Sequence, residues 1–289
     1  MERLQVKKMA NAIEIKNLKK TYGDFTLSID SLVIPSGCIM GLVGSNGAGK
    51  STMIKSILDL IRTDSGEITI GGMSNKLPAS REEIGVVFDE IKFSQVFTAA
   101  DVRLVLKGAY KNWDDDLWNK YIGLFKLPLK KKLKEFSRGM KMKLSLAAAL
   151  AHHPKLLILD EATSGIDPVV RDEILDIFLE FIQDERHTIL ASSHIISDIE
   201  KAADYVTFIN NGSIVFCEEK DTLMEKYRLV KCGNEELASV NPDDVVGKRT
   251  NTFGAELLMP ADKVPEGFVS AKAGIEDIML MIIKNEANQ

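Results

Sequence analysis

An α/β fold with a helical insertion and a small α+β appendage is predicted by three observations. Short apolar runs alternate with amphipathic segments, as in a parallel sheet covered by helices. A glycine-rich loop, GSNGAGKST at Gly44 to Thr52, sits between one such run and a helix-like segment. A second run, Leu156-Leu157-Ile158-Leu159, ends in the carboxylates Asp160 and Glu161.

Taken in order, Met1 to Asn11 reads as a polar leader in which Met9 offers an alternative start, and Ala12 to Ile15 as a short strand. Tyr22-Gly23-Asp24 is a turn, and Phe25 to Ile34 alternates as a half-buried strand does until Pro35 and Gly37 break it. Ile39 to Val43 is apolar throughout and leads into Gly44, and helical spacing continues from Met53 to Ile61. Ser65-Gly66 punctuates, Glu67 to Ile70 forms a strand, Gly71-Gly72 turns, and Ile84 to Phe88 is a short buried strand. From about Asp89 to Pro154 the pattern is mainly helical, with Leu104, Leu117, Tyr121, Leu124 and Phe125 expected in the core.

Lys155 to Asp160 is the next strand, Val169 to Gln183 a helix, His187 to Ala191 a strand and Ile199 to Ala203 a helix. Tyr205 to Ile209 and Ser213 to Phe216 pair around Asn211-Gly212. After Glu219 the composition changes. A linking helix is expected over Asp221 to Arg228, strands at Leu229 to Cys232 and Ala255 to Met259, and a final amphipathic helix over Gly274 to Lys284. The domains implied are 12–219, with its helical insertion over about 89–154, and 220–289.

The glycine loop fits G-x-x-x-x-G-K-[ST], with Gly44, Gly49, Lys50 and Ser51 at the fixed positions. A triphosphate is wrapped by backbone N–H groups, so side chains must keep clear of it. A helix starting near Lys50 aims its unpaired N–H groups and positive dipole end at the phosphates. Lys50 adds a full charge, and the Ser51 hydroxyl can ligate Mg²⁺. An ordinary glycine-rich turn would not keep this spacing between these flanks.

The 289 residues allow one large domain or a large and a small one, and 45% hydrophobic residues supply a substantial core. A net charge of −5 argues against binding nucleic acid by bulk electrostatics. No apolar run approaches the ~20 residues of a membrane span, and the N-terminus lacks the apolar stretch of a secretory signal. Cys38, Cys217 and Cys232 are odd in number and scattered, and read as reduced, small core residues rather than a disulfide framework.

Asp160 and Glu161 close a buried strand, where α/β folds place ligands. Asp160 suits the carboxylate behind Mg²⁺ and Glu161 the group that polarises an attacking water. With these residues in place the sequence resembles the ABC-type ATPases over about residues 12–219. Tyr22 falls where that family carries an adenine-stacking aromatic, GSNGAGKST is its Walker A, and FSRGM at Phe136 to Met140 takes the place of its LSGGQ signature. LLILDEATSGIDP at Leu156 to Pro168 matches its Walker B strand, catalytic glutamate and D-loop, and His194 its switch histidine.

The resemblance implies a P-loop NTPase core with a helical subdomain and an antiparallel β subdomain. It also implies two ATP molecules, each with Mg²⁺, sandwiched between two such domains. Tyr22, Gly44, Ser45, Asn46, Gly47, Ala48, Gly49, Lys50, Ser51 and Thr52 would bind the nucleotide, and Ser51, Asp160 and Asp89 would serve the metal. Glu161 and His194 would be catalytic. Ser137, Arg138 and Gly139 would act from the other chain, and Asp167 would lie at the dimer interface. Two departures stand out. The signature keeps Ser137 and Gly139 but has Arg138 for a glycine, and the Q-loop position after Ile84 to Phe88 holds Asp89 instead of glutamine.

The lysine-rich stretch Lys126 to Lys143 reads equally as a solvated face or as a positive field for ATP or anionic lipid. The family likeness implies the ATP-hydrolysing subunit of an exporter of the ABC-2 type, cytoplasmic and peripheral to the membrane. Its permease would be a separate protein docked in a groove of the helical insertion. The dimer would join two identical copies, or two different ATPase chains. A soluble ATPase acting on ribosomes or DNA is the rival. The single nucleotide domain opposes its translation form, and the short spacing between Lys50 and Asp160 opposes its coiled-coil form. A nucleotide-binding regulator without turnover is opposed by the presence of both Glu161 and His194.

Overall fold

The computed structural model describes residues 11–286. The expected leader lies outside the described residues except for Asn11, which opens the first strand. β1 (Asn11–Tyr22) and β2 (Phe25–Pro35) form a hairpin turning at Gly23 and Asp24. β1 runs well past Ile15. Lys16, Lys19 and Lys20 dilute its apolar signal, yet its backbone keeps pairing with β2 and Leu18 is buried.

β3 (Ile39–Val43) is buried at every position. α1 (Lys50–Ile57) begins inside the glycine loop and stops short of Ile61. Asp59 takes φ 52° there, and the Leu60 N–H returns to the Lys55 carbonyl at 2.9 Å, which closes the helix end. β4 (Ser65–Ile70) and β5 (Met73–Ser74) complete an antiparallel sheet of order β2-β1-β4-β5. α2 (Pro78–Arg81) then leads into β6 (Ile84–Phe88).

The insertion contains α3 (Ala99–Ala109), α4 (Asp115–Leu124) and α5 (Arg138–Leu150). Each start is capped: Thr98 and Asp101 form a capping box on α3, Asp114 accepts from Asp116 and Leu117 N–H, and Ser137 accepts from Met140 N–H. Tyr121 and Phe125 are buried as expected, but Leu104 and Leu124 are 64% and 56% exposed. Each stands two residues from an inward position, Val102 and Ile122, and so about 200° round the helix. Lys130, Lys131 and Lys132 are exposed in the loop between α4 and α5.

β7 (Leu156–Asp160), α6 (Pro168–Phe181), β8 (Thr188–Ser193), α7 (Ile196–Ala202), β9 (Tyr205–Asn210) and β10 (Ser213–Glu219) complete the main layer. Its six-stranded sheet has the order β10-β9-β3-β8-β7-β6 and is parallel except for β10. One face packs with α1 against the antiparallel sheet, through Leu42, Ile54, Ile158 and Ile29. The other face packs against the insertion, α6 and α7. Cys38 and Cys232 are buried, and burial pushes the Cys38 thiol up to about 12. Cys217 does not fit the core expectation, because it stands exposed on β10, an edge strand.

The C-terminal segment holds α8 (Lys220–Lys226), β11 (Tyr227–Gly233), α9 (Asn234–Leu237), β12 (Gly247–Asn251), β13 (Gly254–Pro260), β14 (Val269–Lys272) and α10 (Ile275–Glu286). Its antiparallel sheet has the order β12-β13-β11-β14. The linking helix ends at Lys226, because Tyr227 and Arg228 already pair with Pro260 and Met259. α10 packs back on the main layer: Ile275, Ile278 and Met281 share one apolar cluster with Ile199, Ala203 and Leu223. Glu200 on α7 accepts the Ile275 N–H at 2.9 Å, capping α10 from across this contact. No helix among the described residues is long and apolar enough to cross a membrane.

Candidate active site

Four neighbouring strands end on one edge of the six-stranded sheet, and each delivers a residue expected in the site. β3 runs into Gly44, β8 into His194, β7 into Asp160 and Glu161, and β6 into Asp89. Parallel pairing sets the register: Val43 stands opposite Ser193, Ser192 opposite Asp160, and Asp160 opposite Phe88.

Gly44 leaves β3 where a Cβ would stand 2.4 Å from the Ile209 carbonyl oxygen. Gly49 takes φ 115° as the N-cap of α1, a conformation side chains disfavour. With Ser45, Asn46, Gly47, Lys50, Ser51 and Thr52 it lines a cleft of about 420 Å³. The unpaired N–H groups of the helix start are thus placed for an anion. Ala48 is buried behind the loop, and its carbonyl accepts the Gly212 N–H at 2.9 Å, tying the loop to the β9–β10 turn.

Lys50 is buried. Its ammonium donates to the Gly44 and Ser45 carbonyls at 2.8 and 3.2 Å and lies 3.3 Å from Glu161 Oε1. The other Glu161 oxygen, Oε2, is hydrogen-bonded by His194 Nδ1. Glu161 also sits at φ 54°, held there by its N–H, which donates to the Ser192 hydroxyl at 3.0 Å and the Ser192 carbonyl at 3.2 Å. Asp160 is buried, and its Oδ1 accepts from Ser51 at 3.1 Å and from Ser192 at 2.8 Å. A carboxylate beside a serine hydroxyl is a hard-oxygen donor set that fits Mg²⁺. Asp89, Arg138, Glu161, Ser164 and His194 line the same cleft.

Residues 27–164 match the family model described as ABC transporter. The chain is 38% identical over 213 residues to the lantibiotic transport ATP-binding protein SrtF of Streptococcus pyogenes, covering 72% of this chain and 91% of that one. The chain belongs to the ABC transporter family. It is an ATP-binding, ATP-hydrolysing subunit. A second relative in this family is the bacitracin transport ATP-binding protein BcrA of Bacillus licheniformis, 37% identical over 215 residues, with 72% of this chain and 69% of that protein covered. A solved ATP-binding subunit of an ABC transporter has the same fold, with a TM-score of 0.65, 25% identity, and 73% and 91% of the two chains covered.

The fold of this ABC subunit gathers most, but not all, of the residues expected in its site. Tyr22 is 47% exposed and is not among the residues lining the cleft. Its cross-strand neighbour Phe25 lines the cleft instead. Of the signature residues, Arg138 alone lines the cleft, and it does so in its own chain. A Cβ on Gly165 would meet its guanidinium at 2.8 Å. Ser137 caps α5, Gly139 lies in the first turn of α5 beside Val170, and Asp167 caps α6 by accepting the Val169 N–H at 2.9 Å. Ser192, Phe25 and Ser164 are site residues that sequence reasoning misses. For Ser192 the usable signal is the strand pairing that sets it opposite Asp160.

Proposed function

We propose that this ABC ATPase powers a membrane exporter whose permease is a separate protein, and that the cargo is an antibiotic-like compound. Residues 12–219 form the nucleotide domain and 220–289 an accessory domain. The cargo class is suggested by SrtF and BcrA, named for lantibiotic and bacitracin transport. The permease docks in the groove of about 450 Å³ lined by Phe88, Asp89, Ile91, Gln95, Lys141 and Met142. The exposed Val96, Leu104 and Val105 of the same insertion add apolar surface for that partner. The chain works at the inner face of the cell membrane.

One observation carries the catalytic reading: Lys50, Glu161 and His194 are joined in one cleft beside the hydrogen-bonded Ser51–Asp160 pair. Lys50 exchanges its carbonyl partners for phosphate oxygens, and the loop amides from Gly44 to Thr52 wrap them. Ser51 and Asp160 would hold Mg²⁺, with Asp89 serving it from the lining of the same cleft. When bound, Mg²⁺ offsets the charge that builds on the phosphate oxygens. Glu161 orients and polarises the attacking water, with His194 fixing the carboxylate. Tyr22 stacks on adenine from the rim. Two identical chains form the ATP-dependent dimer, so that Ser137, Arg138 and Gly139 reach the other chain's phosphates and Asp167 lies in the interface.

Glu161→Gln tests this reading. The amide is a poor proton acceptor, so hydrolysis should fall by at least the 10²-fold typical of losing a general base, about 2.7 kcal/mol. ATP affinity should stay near that of the parent, and a nucleotide-bound dimer should accumulate on size exclusion. Near-parent turnover would place the base elsewhere.

A further inference from the structure

The geometry points to Ser192 as a positioning residue that sets Asp160 for Mg²⁺ and Glu161 for water through a single hydroxyl. The inference rests on the roles proposed above for those two residues. Ser192 lies on β8, directly opposite Asp160 of β7 in parallel register, and is 3% exposed. A hydroxyl has one proton to give and lone pairs to accept with. Ser192 uses both: it donates to Asp160 Oδ1 at 2.8 Å and accepts the Glu161 N–H at 3.0 Å.

These two bonds constrain different things. The first fixes the rotation of the Asp160 carboxylate. Ser51 also donates to that oxygen, but Ser51 is the residue that must turn its own oxygen toward the metal. Ser192 is buried on the sheet side and can hold the carboxylate throughout. The second bond helps hold Glu161 in the left-handed region, φ 54°, which a non-glycine residue keeps only when its surroundings enforce it. That backbone twist swings the Glu161 side chain between Lys50 and His194. Outer hydroxyls of this kind commonly tune a metal site ten- to a hundredfold.

The experiment compares Ser192→Ala and Ser192→Thr in the full chain, with thermal melting to confirm folding. Affinity for a fluorescent ATP analogue is measured in EDTA and across a Mg²⁺ titration, and hydrolysis is resolved into kcat and KM. In Ser192→Ala the Mg²⁺ concentration needed for half-maximal tightening should rise about tenfold or more, and kcat should fall about ten- to a hundredfold. Affinity in EDTA and KM for ATP should stay within about twofold of the parent, because the loop and Lys50 are untouched. Ser192→Thr keeps the hydroxyl and should restore both values. Parent-like Mg²⁺ response and kcat in the alanine variant would overturn the inference. Equal loss in both variants would also overturn it, since that marks packing and not hydrogen bonding. If the alanine variant does not fold, Ser192→Cys keeps the volume with a weak donor and takes its place in the same measurements. Parent-like values in it, or a loss equal to that of Ser192→Thr, would overturn the inference in the same way. Glu161→Gln measured alongside separates the readings: normal turnover there would sink the role of Glu161, while the Mg²⁺-dependent binding of Ser192→Ala would still judge Ser192.

Discussion

Lys50 reaches its neighbours only because the loop bends back over it. Its ammonium is held by two loop carbonyls and Glu161, so a phosphate group replaces partners already in place. Lys50→Ala removes the one buried ammonium among the residues lining the cleft. At the ~1.5–3 kcal/mol typical of a hydrogen bond to a charged group, the dissociation constant for ATP should rise about ten- to a hundredfold. Fluorescent-analogue titration reads this directly, and unchanged affinity would remove Lys50 from the site. At this scale the sequence is most legible where chemistry demands a fixed local spacing. Gly44, Gly49, Lys50 and Ser51 lie within one short loop, and Asp160 and Glu161 close one apolar run. Ser192 is illegible because its role comes from a neighbour across the sheet, 32 residues away in sequence. Phe25 is hidden behind Tyr22, because only the hairpin geometry decides which of two facing aromatics meets the loop.

Two helices of the insertion, α3 and α4, carry carboxylates at their starts. The Thr98 N–H holds Asp101 below the usual carboxylate range, and the Leu117 N–H, with His153, does the same to Asp114. Asp115 is depressed most, by the guanidinium of Arg103, the ammonium of Lys107 and the Trp113 indole N–H at 2.8 Å. Each pKa is lower in the folded chain than in the unfolded one. Their stabilisation is therefore complete above the ordinary Asp value of about 4 and fades as pH falls through the lowered folded values. Both tryptophans of the chain, Trp113 and Trp118, lie in this insertion. Their emission should therefore red-shift on acidification below about pH 4, and Asp115→Asn should shift less because its contribution is already lost. An identical acid profile in the variant would dismiss Asp115 as the sensor. Among the elements, buried strands are the easiest to read: Ile84 to Phe88 is apolar at every position bar a glycine, and its expected bounds match the structure to the residue. β14 is exposed at all four positions and β12 carries Lys248, Arg249 and Thr250, so neither shows the alternation that marks a half-buried strand. Leu104 misleads for the opposite reason, being apolar on an outer face.

Across the whole molecule, the C-terminal segment is joined to the main layer by packing as well as by chain. Ile278 on α10 belongs to the same apolar cluster as Trp118 of the insertion and Val206 of the main sheet. Ile278→Ala, in the range of ~2–5 kcal/mol for such truncations, should lower the melting midpoint seen by far-UV circular dichroism and by tryptophan emission together. A variant in which the tryptophan transition stays put while an earlier one splits off would mean that the two parts melt independently. The boundary near Glu219 is legible as a change in composition. That α10 returns to complete the earlier core is not, because an amphipathic helix does not name the surface it will cover. The same return contact has a consequence in time. A chain made from its N-terminus folds what it has as it emerges. The apolar cluster that holds Ile199 of α7, Ala203 at its end and Val206 of β9 is complete only after Ile275, Ile278 and Met281 have left the ribosome. Until then the nascent chain leaves the apolar side chains of Ile199, Ala203 and Val206 without their cover from α10, although the nucleotide loop has already been made.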